Sequence, residues 1–409
     1  MFTGFNHFLS YGSTDQQTVR DLQGLFDGLV VPGTIAAFQA EGTKGFVLSL
    51  SARSAEPYVI DSRFPLFQNR LPAQKKSHGM LADILGTQSL LQLNRTPVPA
   101  DFSPELIAAA AAGWLDFNID FDDVRLKTFD KYASRLNEEV VPENKQQPAF
   151  VLPPYVMVDH DGDGWAAIGD QLWEQSTLLA DARGIRGKLR RVIAASSSEL
   201  WSQLAQGTPE REIVAWVSDL EEFRLDHDSE LELIAYGRAI QAASERGQKV
   251  FALYGGFFSV LLARYGLTGS SHGIGFGEHR DWVELPSSGA PPARYYQPRL
   301  HRYISIDIAD ALWRSFPNEM RCDCPECAGQ PPIAMEYHGL MRHSVRMRAL
   351  EIEEWVPLST AEVVEKLEDD FALFRSCVAA LPVPAKVLKR AEGIHLHLAK
   401  WARVMTNLG

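Results

Sequence analysis

Three cysteines within six positions constrain the fold of this chain more than any other feature of its sequence. Cys322, Cys324 and Cys327 are arranged as C-x-C-x2-C, which suits a metal ion and suits a disulfide framework poorly. Three thiolates this close can share one tetrahedral zinc ion, with a fourth ligand from elsewhere in the chain. Two histidines follow, His338 and His343, and either would close the site. The spacing therefore predicts a structural zinc site in a reducing compartment, for which we expect the cytoplasm.

The rest of the composition is that of an ordinary globular protein. The chain has 409 residues, of which 45% are hydrophobic and 22% charged, enough for one large α/β domain with appendages or for two domains. The sequence has neither a bilayer-spanning apolar run nor a signal-peptide pattern, so we expect no membrane partner. The fourth cysteine, Cys377, fits a buried core thiol.

Short apolar, β-branched runs alternate with helical patterns before the cysteine loop, which predicts parallel βα units. The eight candidate strands are residues 46–50, 58–60, 155–158, 192–195, 213–217, 250–253, 273–276 and 303–306. Eight such units fit a (β/α)8, TIM-like barrel better than a doubly wound sheet. We place this barrel at residues 1–313, with a helical insertion near 101–148. Residues 314–409 are then a zinc-binding, C-terminal helical subdomain.

The cysteine loop resembles that of the tRNA-guanine transglycosylases. In that family C-x-C-x2-C follows the barrel, and a histidine on a later helix, in a Tyr-Leu-x-His-Leu-like context, completes the zinc site. The sequence Leu-Met-Arg-His-Ser around His343 is similar, so the resemblance favours His343 over His338. The interval from Cys327 to His343 is shorter than the family usually shows. The resemblance implies an enzyme that acts on the N-glycosidic bond of a base in nucleic acid.

A second similarity to this family follows an early strand. The family has an Asp-Ser-Gly-Gly-Phe-Gln segment there, and its aspartate is a catalytic carboxylate. In this chain Asp61 and Ser62 follow the candidate strand 58–60, and a Phe-Gln pair comes a little later. The alternative is a helix N-cap, since both residue types cap well. An aspartate at the carboxyl end of a barrel strand points into the mouth of the barrel, where catalytic groups lie. The resemblance implies that Asp61 is catalytic and that Ser62 contacts the substrate.

The nucleophilic aspartate of the family has no counterpart on the corresponding strand. The nearest acid is Glu278, and His272 lies just before the predicted strand 273–276. One carboxylate can stabilise an oxocarbenium-like sugar and direct a water, as in inverting glycoside hydrolysis. We therefore take Asp61 and Glu278 as the catalytic candidates, with His272 as a substrate contact. The alternative for Glu278 is a salt-bridged loop.

Further residues are candidates for recognition of the base. Asp159 follows the strand 155–158, where the family uses an acidic residue to hydrogen-bond the target base, and Asp219 has the same topological position after the strand 213–217. Aromatic side chains suit the walls of a pocket for an unstacked base, although core packing is the alternative for each. The candidates are Trp165, Tyr254, Phe257, Phe258 and Phe276.

The formal net charge is −12, which argues against broad affinity for nucleic acid because phosphate binding needs basic surface. Two basic clusters are local exceptions, and we expect one of them to bind the substrate strand. The first is Arg183, Arg186, Lys188, Arg190 and Arg191, and the second is Lys386, Lys389, Arg390, Lys400 and Arg403. The alternative for both is a solvated helix face.

These features, with the resemblance, predict a glycosylase or transglycosylase that acts on a modified base. We expect DNA rather than tRNA as the partner, as in the branches that insert deazaguanines into DNA or excise modified bases in conflicts with phages. One alternative is a tRNA-guanine transglycosylase. The other is a non-catalytic, nucleic-acid-binding partner subunit, because the family contains inactive homologues that pair with an active one. A homodimer is the other form of assembly that we consider for this chain.

Overall fold

The computed structural model describes residues 4–12, 15–71, 75–136, 139–275, 280, 282 and 292–409. Within these ranges the strands are β1 (Asn6–Ser10), β2 (Gly28–Pro32), β3 (Tyr58–Asp61), β4 (Met157–Val158), β5 (Arg191–Ala195), β6 (Glu212–Val217), β7 (Lys249–Ala252), β8 (Leu267–His272), β9 (Arg294–Gln297) and β10 (Arg302–Ser305). The helices that precede β8 are α1 (Gln16–Asp21), α2 (Gly33–Phe38), α3 (Ala40–Ser54), α4 (Lys76–Leu85), α5 (Gln88–Leu91), α6 (Pro104–Ile119), α7 (Leu126–Ala133), α8 (Trp165–Ala182), α9 (Ser198–Gln206), α10 (His227–Glu245) and α11 (Phe257–Leu261). Those that follow β10 are α12 (Ile306–Ser315), α13 (Pro317–Met320), α14 (Tyr337–Trp355), α15 (Thr360–Ala379), α16 (Ala385–Ala391) and α17 (Leu396–Leu408).

The first eight strands form one curled, parallel sheet of the TIM-barrel type. Its order is β3-β2-β1-β8-β7-β6-β5-β4, so β3 and β4 are its two ends. The side chain of Gln68 joins these ends, because its Nε2 donates to the Met157 carbonyl oxygen at 2.9 Å and its Oε1 accepts from the Met157 amide at 2.7 Å. The predicted α/β barrel architecture is confirmed.

The strands are buried on both faces, as strands of a parallel sheet covered by helices are. Alternate side chains point into the barrel, where Phe8, Val30, Val59, Val214 and Phe251 belong to one interior core. Their neighbours along each strand pack outward in a second core shared with the helices. This alternation sets which residues can reach the mouth of the barrel, the end where the strands have their carboxyl termini.

The C-terminal region packs against the outside of the barrel. Strands β9 and β10 pair as an antiparallel hairpin, and α14 packs against this hairpin, α1 and α11. The predicted boundary between residues 313 and 314 lies within α12, and the predicted insertion near 101–148 contains α6 and α7. Among the described residues, no helix has the length and apolar character needed to cross a membrane.

The positions of several predicted strands are wrong. Residues 46–50 lie in the buried helix α3, and residues 303–306 begin in the hairpin strand β10, outside the barrel. Residues 273–275 of the predicted strand 273–276 follow β8 and form no strand, and Phe276 lies outside the described residues. Strands β1, β2 and β8 were not predicted. The eight predicted strands therefore include three false ones, and three strands of the barrel were missed.

Candidate active site and metal centre

Three cysteines and one histidine converge in the C-terminal region. The three Sγ atoms and one ring nitrogen of His343 all lie within 4.8 Å of one another. The His343 Nδ1 atom lies 3.9 Å from the Sγ of Cys322, 3.4 Å from that of Cys324 and 3.3 Å from that of Cys327. A tetrahedral zinc site with ordinary bond lengths requires S···N distances of about 3.6 Å. The cluster therefore has the dimensions of a site for one tetrahedral metal ion.

The surroundings of His343 fix which of its nitrogens faces the sulfurs. Its Nε2 lies 2.7 Å from the carbonyl oxygen of Tyr296 and donates to it, which leaves the Nδ1 lone pair for a metal. The ring of Tyr295 stacks on the imidazole, with centroids 4.6 Å apart. The other candidate, His338, lies outside the cluster, and its Nδ1 is 3.2 Å from the hydroxyl oxygen of Thr18. The structure thus places His343, and not His338, with the three cysteines.

Electrostatics in the cluster favour a positive charge at its centre. Hydrogen bonds from the thiols of Cys322 and Cys327 lower the pKa of Cys324. Burial opposes protonation of His343, but hydrogen bonds to Cys322 and Cys324 outweigh it and raise its pKa to about 9. A metal cation supplies the same charge, and three sulfurs with one imidazole are donors that suit zinc. Four protein ligands leave no position for a substrate, so such a site is structural.

Asp61 ends β3 at the mouth of the barrel, and its side chain is fully buried. The Tyr155 hydroxyl donates to Oδ1 at 2.6 Å, the Tyr254 hydroxyl donates to Oδ2, and the Arg63 amide donates to Oδ1 at 3.1 Å. Ser62 is also buried, and its Oγ accepts from the Phe64 amide at 3.4 Å. A role as helix N-cap would explain only the hydrogen bond that Asp61 accepts from the Arg63 amide. The hydrogen bonds from the two phenols therefore distinguish Asp61 from an ordinary turn residue.

The two tyrosines are hydrogen-bond donors over the physiological pH range. Burial, followed by the charge of the Asp61 carboxylate, raises the pKa of Tyr155 well above its usual value. Burial also raises the pKa of Tyr254, although the Arg63 guanidinium opposes this rise. Both phenols therefore keep their protons and direct them at Asp61, which acts as the acceptor.

An aromatic wall with a resident cation adjoins Asp61. The Arg63 guanidinium lies 5.0 Å from the ring centroid of Tyr254 and 5.5 Å from that of Trp216. Trp216 makes edge contacts with Tyr155 and Tyr254. Arg63 and Tyr254 have φ values of 51° and 58°, the left-handed region that non-glycine residues seldom adopt. Strained backbone of this kind clusters at functional sites, so two such residues beside one buried carboxylate mark this as the candidate active site.

The predicted base-recognition residues lie on the rim of the same mouth. Asp159 follows β4 with 56% of its side chain exposed, and Asp219 follows β6, where it accepts from the Ser218 hydroxyl at 2.7 Å. Both are separate from the network around Asp61 and remain candidates for contact with a substrate at the rim.

His272 is not part of this constellation. His272 ends β8, where its Nε2 lies 2.7 Å from the Ser270 hydroxyl and its ring lies edge-on to His7, with centroids 4.9 Å apart. Because Phe8 points into the barrel, its neighbour His7 points outward, and His272 lies with it on the helix-facing side. This placement separates His272 from Asp61. Glu278 and Phe276 lie outside the described residues.

The first basic cluster lies at the opposite end of the barrel. It precedes and begins β5, whereas the candidate active site is at the carboxyl ends of the strands. Arg183 pairs with Asp116 at 2.6 Å and Arg190 with Glu212 at 2.5 Å, and Arg191 pairs with Asp170. Lys188 donates to Gln147, and Arg186 lies over the Trp173 ring. The structure therefore does not place this cluster beside Asp61.

The second basic cluster is not one continuous surface. Arg390 pairs with Asp307, and Arg403 pairs with Glu230, each at 2.6 Å. Lys400 is buried and donates to the carbonyl oxygens of Glu221 and Arg224. Burial lowers the pKa of Lys400 to about 8. This lysine holds the C-terminal helix to the barrel and is not available to a nucleic acid, and Lys386 and Lys389 lie on α16.

Sequence reasoning located Asp61 but missed most of its surroundings. Arg63, Tyr155 and Trp216 carried no recognisable spacing, and Tyr254 was one aromatic candidate among several. A signal for Tyr254 was available, because it directly follows the predicted strand 250–253, as Asp61 follows the predicted strand 58–60. Of the other aromatic candidates, Phe257 instead stacks on His301 with ring centroids 3.6 Å apart.

Comparison with known proteins assigns no family. No protein-family model matches the chain, and no curated protein matches it at a significant level.

Proposed function

We propose that this protein is an enzyme that breaks the N-glycosidic bond of a base in nucleic acid, with Asp61 as its catalytic carboxylate. The observation that carries the proposal is a buried carboxylate at the carboxyl end of a barrel strand, held by two phenols and bordered by an aromatic wall. The mouth of a barrel at these strand ends is where enzymes of this fold have their active sites.

The chemistry of the bond accounts for these groups. Cleavage develops positive charge on the sugar, and a carboxylate fixed in a site of low dielectric stabilises that charge. Tyr155 and Tyr254 hold Asp61 in one orientation, so little reorganisation accompanies the reaction. An unstacked base needs an aromatic surface, and the ring of Trp216 supplies one once Arg63 moves from it.

Hydrolysis is the form of the reaction that we propose. The described hydrogen-bond partners of Asp61 are two phenols and the Arg63 amide, and none of these is a nucleophilic carboxylate. In hydrolysis, Asp61 directs a water at the sugar carbon and takes its proton, while the bonding electron pair leaves with the base. We propose a modified base in DNA, with a role in phage defence, rather than tRNA, because the family's tRNA motifs are altered around Asp61 and lack their aspartate in the predicted strand 273–276.

We also propose zinc as the ion of the Cys322, Cys324, Cys327 and His343 cluster. The donor set and the S···N distances support this choice. Zinc would tie the cysteine loop, α14 and the β9–β10 hairpin together, because His343 also binds the hairpin through the Tyr296 carbonyl oxygen. Its role would be to position the C-terminal region against the barrel.

One observation favours a second candidate function, that of a non-catalytic partner subunit. Asp61 has no exposed surface, and Arg63 covers the aromatic wall on which a base would stack. Trp216 is held further by its Nε1 donating to the Arg280 carbonyl oxygen at 2.8 Å. A subunit that only binds nucleic acid could keep this arrangement throughout its function.

Incubation with nucleic acids separates the two functions. DNA with modified bases and tRNA are each incubated with the purified chain, and released bases are identified by mass spectrometry. Release of a free base, leaving an abasic site, supports the glycosylase. Incorporation of an added labelled base would show exchange in place of hydrolysis. Binding with neither product would favour the partner subunit and contradict the enzyme.

A further inference from the structure

A cavity of about 510 Å³ lies beside the barrel, and neither Asp61 nor any residue of the metal cluster lines it. Its walls come from α1, α3, the end of α7 and the first turn of α14. Binding pockets for small molecules have volumes of roughly 300–1,000 Å³, so this cavity can hold a group of nucleotide size. Exposed residues such as Gln17 and Arg135 border it, so a ligand can reach it from solvent.

The charges that line the cavity have one sign. Arg20 on α1 and Arg135 after α7 contribute two guanidinium groups, and Gln16, Gln17 and His338 contribute neutral or titratable polar groups. No carboxylate is among the lining residues that the structure describes. In a chain of net charge −12, such a lining is a local reversal of the overall field. Paired guanidinium groups with amide donors are suited to phosphate oxygens.

An aromatic surface accompanies these cations. The ring of Tyr132 lines the cavity, with the Arg135 guanidinium 5.1 Å from its centroid and the Phe46 ring edge-on at 6.2 Å. An aromatic ring beside an arginine is the combination on which proteins stack a base or sugar while they hold the adjacent phosphate. The cavity thus offers both parts of a nucleotide-binding surface.

The acid nearest to Arg20 does not prevent anion binding. Arg20 Nε donates to Asp21 at 3.3 Å, and the two side chains are 27% and 35% exposed. A partly exposed pair of this kind is weak, because water screens the two charges. Asp21 is also 3.6 Å from the Arg342 guanidinium, so two arginines share its charge. A phosphate can therefore bind Arg20 without leaving Asp21 unpaired.

We propose that this cavity binds a backbone phosphate of the substrate strand through Arg20 and Arg135, with the attached sugar or base against Tyr132. The inference rests on the proposed function, because it takes the substrate to be a nucleic acid. Helix α1 begins soon after the carboxyl end of β1, so the cavity lies towards the same end of the barrel as Asp61. It provides the basic surface that the two sequence clusters do not provide at this end.

The test is the salt dependence of binding to a short, labelled single-stranded DNA, measured by fluorescence anisotropy. The variant is the double charge reversal R20E/R135E, and its control is Lys127→Glu, an exposed residue of the same helix α7 that does not line the cavity. The double variant should bind at least about tenfold more weakly at low salt. The plot of log binding constant against log salt concentration has a negative slope. Its magnitude should decrease by roughly 0.7 for each phosphate that the double variant no longer binds, and the control should keep the wild-type slope. Thermal melting of both variants should match the wild-type chain.

Two readouts keep this inference separate from the proposed function. Equal affinity and equal slope for the double variant and the control would overturn the phosphate site, as would absence of DNA binding by the wild-type chain. Base release by the wild-type chain would still support the enzyme in the first case. Conversely, binding through Arg20 and Arg135 without base release from any nucleic acid would support the site and contradict the enzyme.

Discussion

Replacing a single thiolate of the Cys322–Cys324–Cys327–His343 cluster should release its metal and destabilise the C-terminal region. Cys324 is 8% exposed and lies 3.4 Å from His343 Nδ1. Structural zinc sites bind with about 10–16 kcal/mol, so an equal share for one of four ligands is about 2.5–4 kcal/mol. Cys324→Ser puts a shorter, harder donor in this position, and we expect a loss of stability of about that size.

Cys377→Ser is the matched control, because Cys377 is buried to a similar extent but lies outside the cluster. Burying its hydroxyl should cost about 1–3 kcal/mol without loss of metal. Elemental analysis should find about one equivalent of zinc in the wild-type chain and in Cys377→Ser, and far less in Cys324→Ser. Guanidinium denaturation followed by tryptophan fluorescence reports stability. Full metal content in Cys324→Ser, or a metal-free wild-type chain of normal stability, would refute the reasoning.

Two further predictions concern buried charges between the barrel and the C-terminal region. Burial, followed by the charge of Arg348, lowers the pKa of His7 to about 3. The contribution of neutral His7 to the free energy of unfolding is therefore fully present above pH 6.5 and is lost as pH falls towards 3. This loss is at most about 1.4 kcal/mol per pH unit. In denaturant unfolding measured between pH 3 and pH 6.5, His7→Gln should lose less stability with falling pH than the wild-type chain. The same dependence of stability on pH in both proteins would contradict this prediction. Glu351→Gln should cost about 3–5 kcal/mol in denaturant unfolding, because it removes the buried carboxylate that pairs with Arg348 at 3.2 Å. Its control, Glu354→Gln, removes an exposed pair with Lys366 and should cost about 1 kcal/mol or less, and equal losses would refute the distinction.

The barrel could be predicted from the sequence because five of its strands, β3 to β7, are apolar runs between helical patterns. The errors have local physical causes. Residues 46–50 are apolar because α3 is buried on nearly all sides, and a short apolar run does not distinguish such a helix from a buried strand. Strand β2 was missed since it is five residues long, ends in Pro32 and continues directly into α2.

The candidate sites were predictable to different degrees. The cysteine loop is local, so its spacing alone identified three ligands, and only the fourth needed the resemblance. Asp61 was found through a local segment, whereas its partner Tyr155 is 94 positions away and Tyr254 is 193 positions away. Such long-range contacts depend on the closure of the barrel, and neither residue has a sequence signal of its own. The surroundings of the first basic cluster were not predictable for a related reason, because the acids that pair with Arg183 and Arg190 are distant in sequence.

Release of free base by Asp61→Asn, compared with the wild-type chain, tests the central claim most directly. The substitution keeps the shape of the side chain and an oxygen that can accept from Tyr155, but removes the charge that stabilises the developing oxocarbenium ion. On a nucleic acid from which the wild-type chain releases base, we predict a rate at least about 100-fold lower in a variant that circular dichroism shows to be folded, although the amide leaves one of the two phenols without its acceptor and lowers stability. Full activity in Asp61→Asn, or no base release by the wild-type chain from any DNA or RNA, would contradict the account.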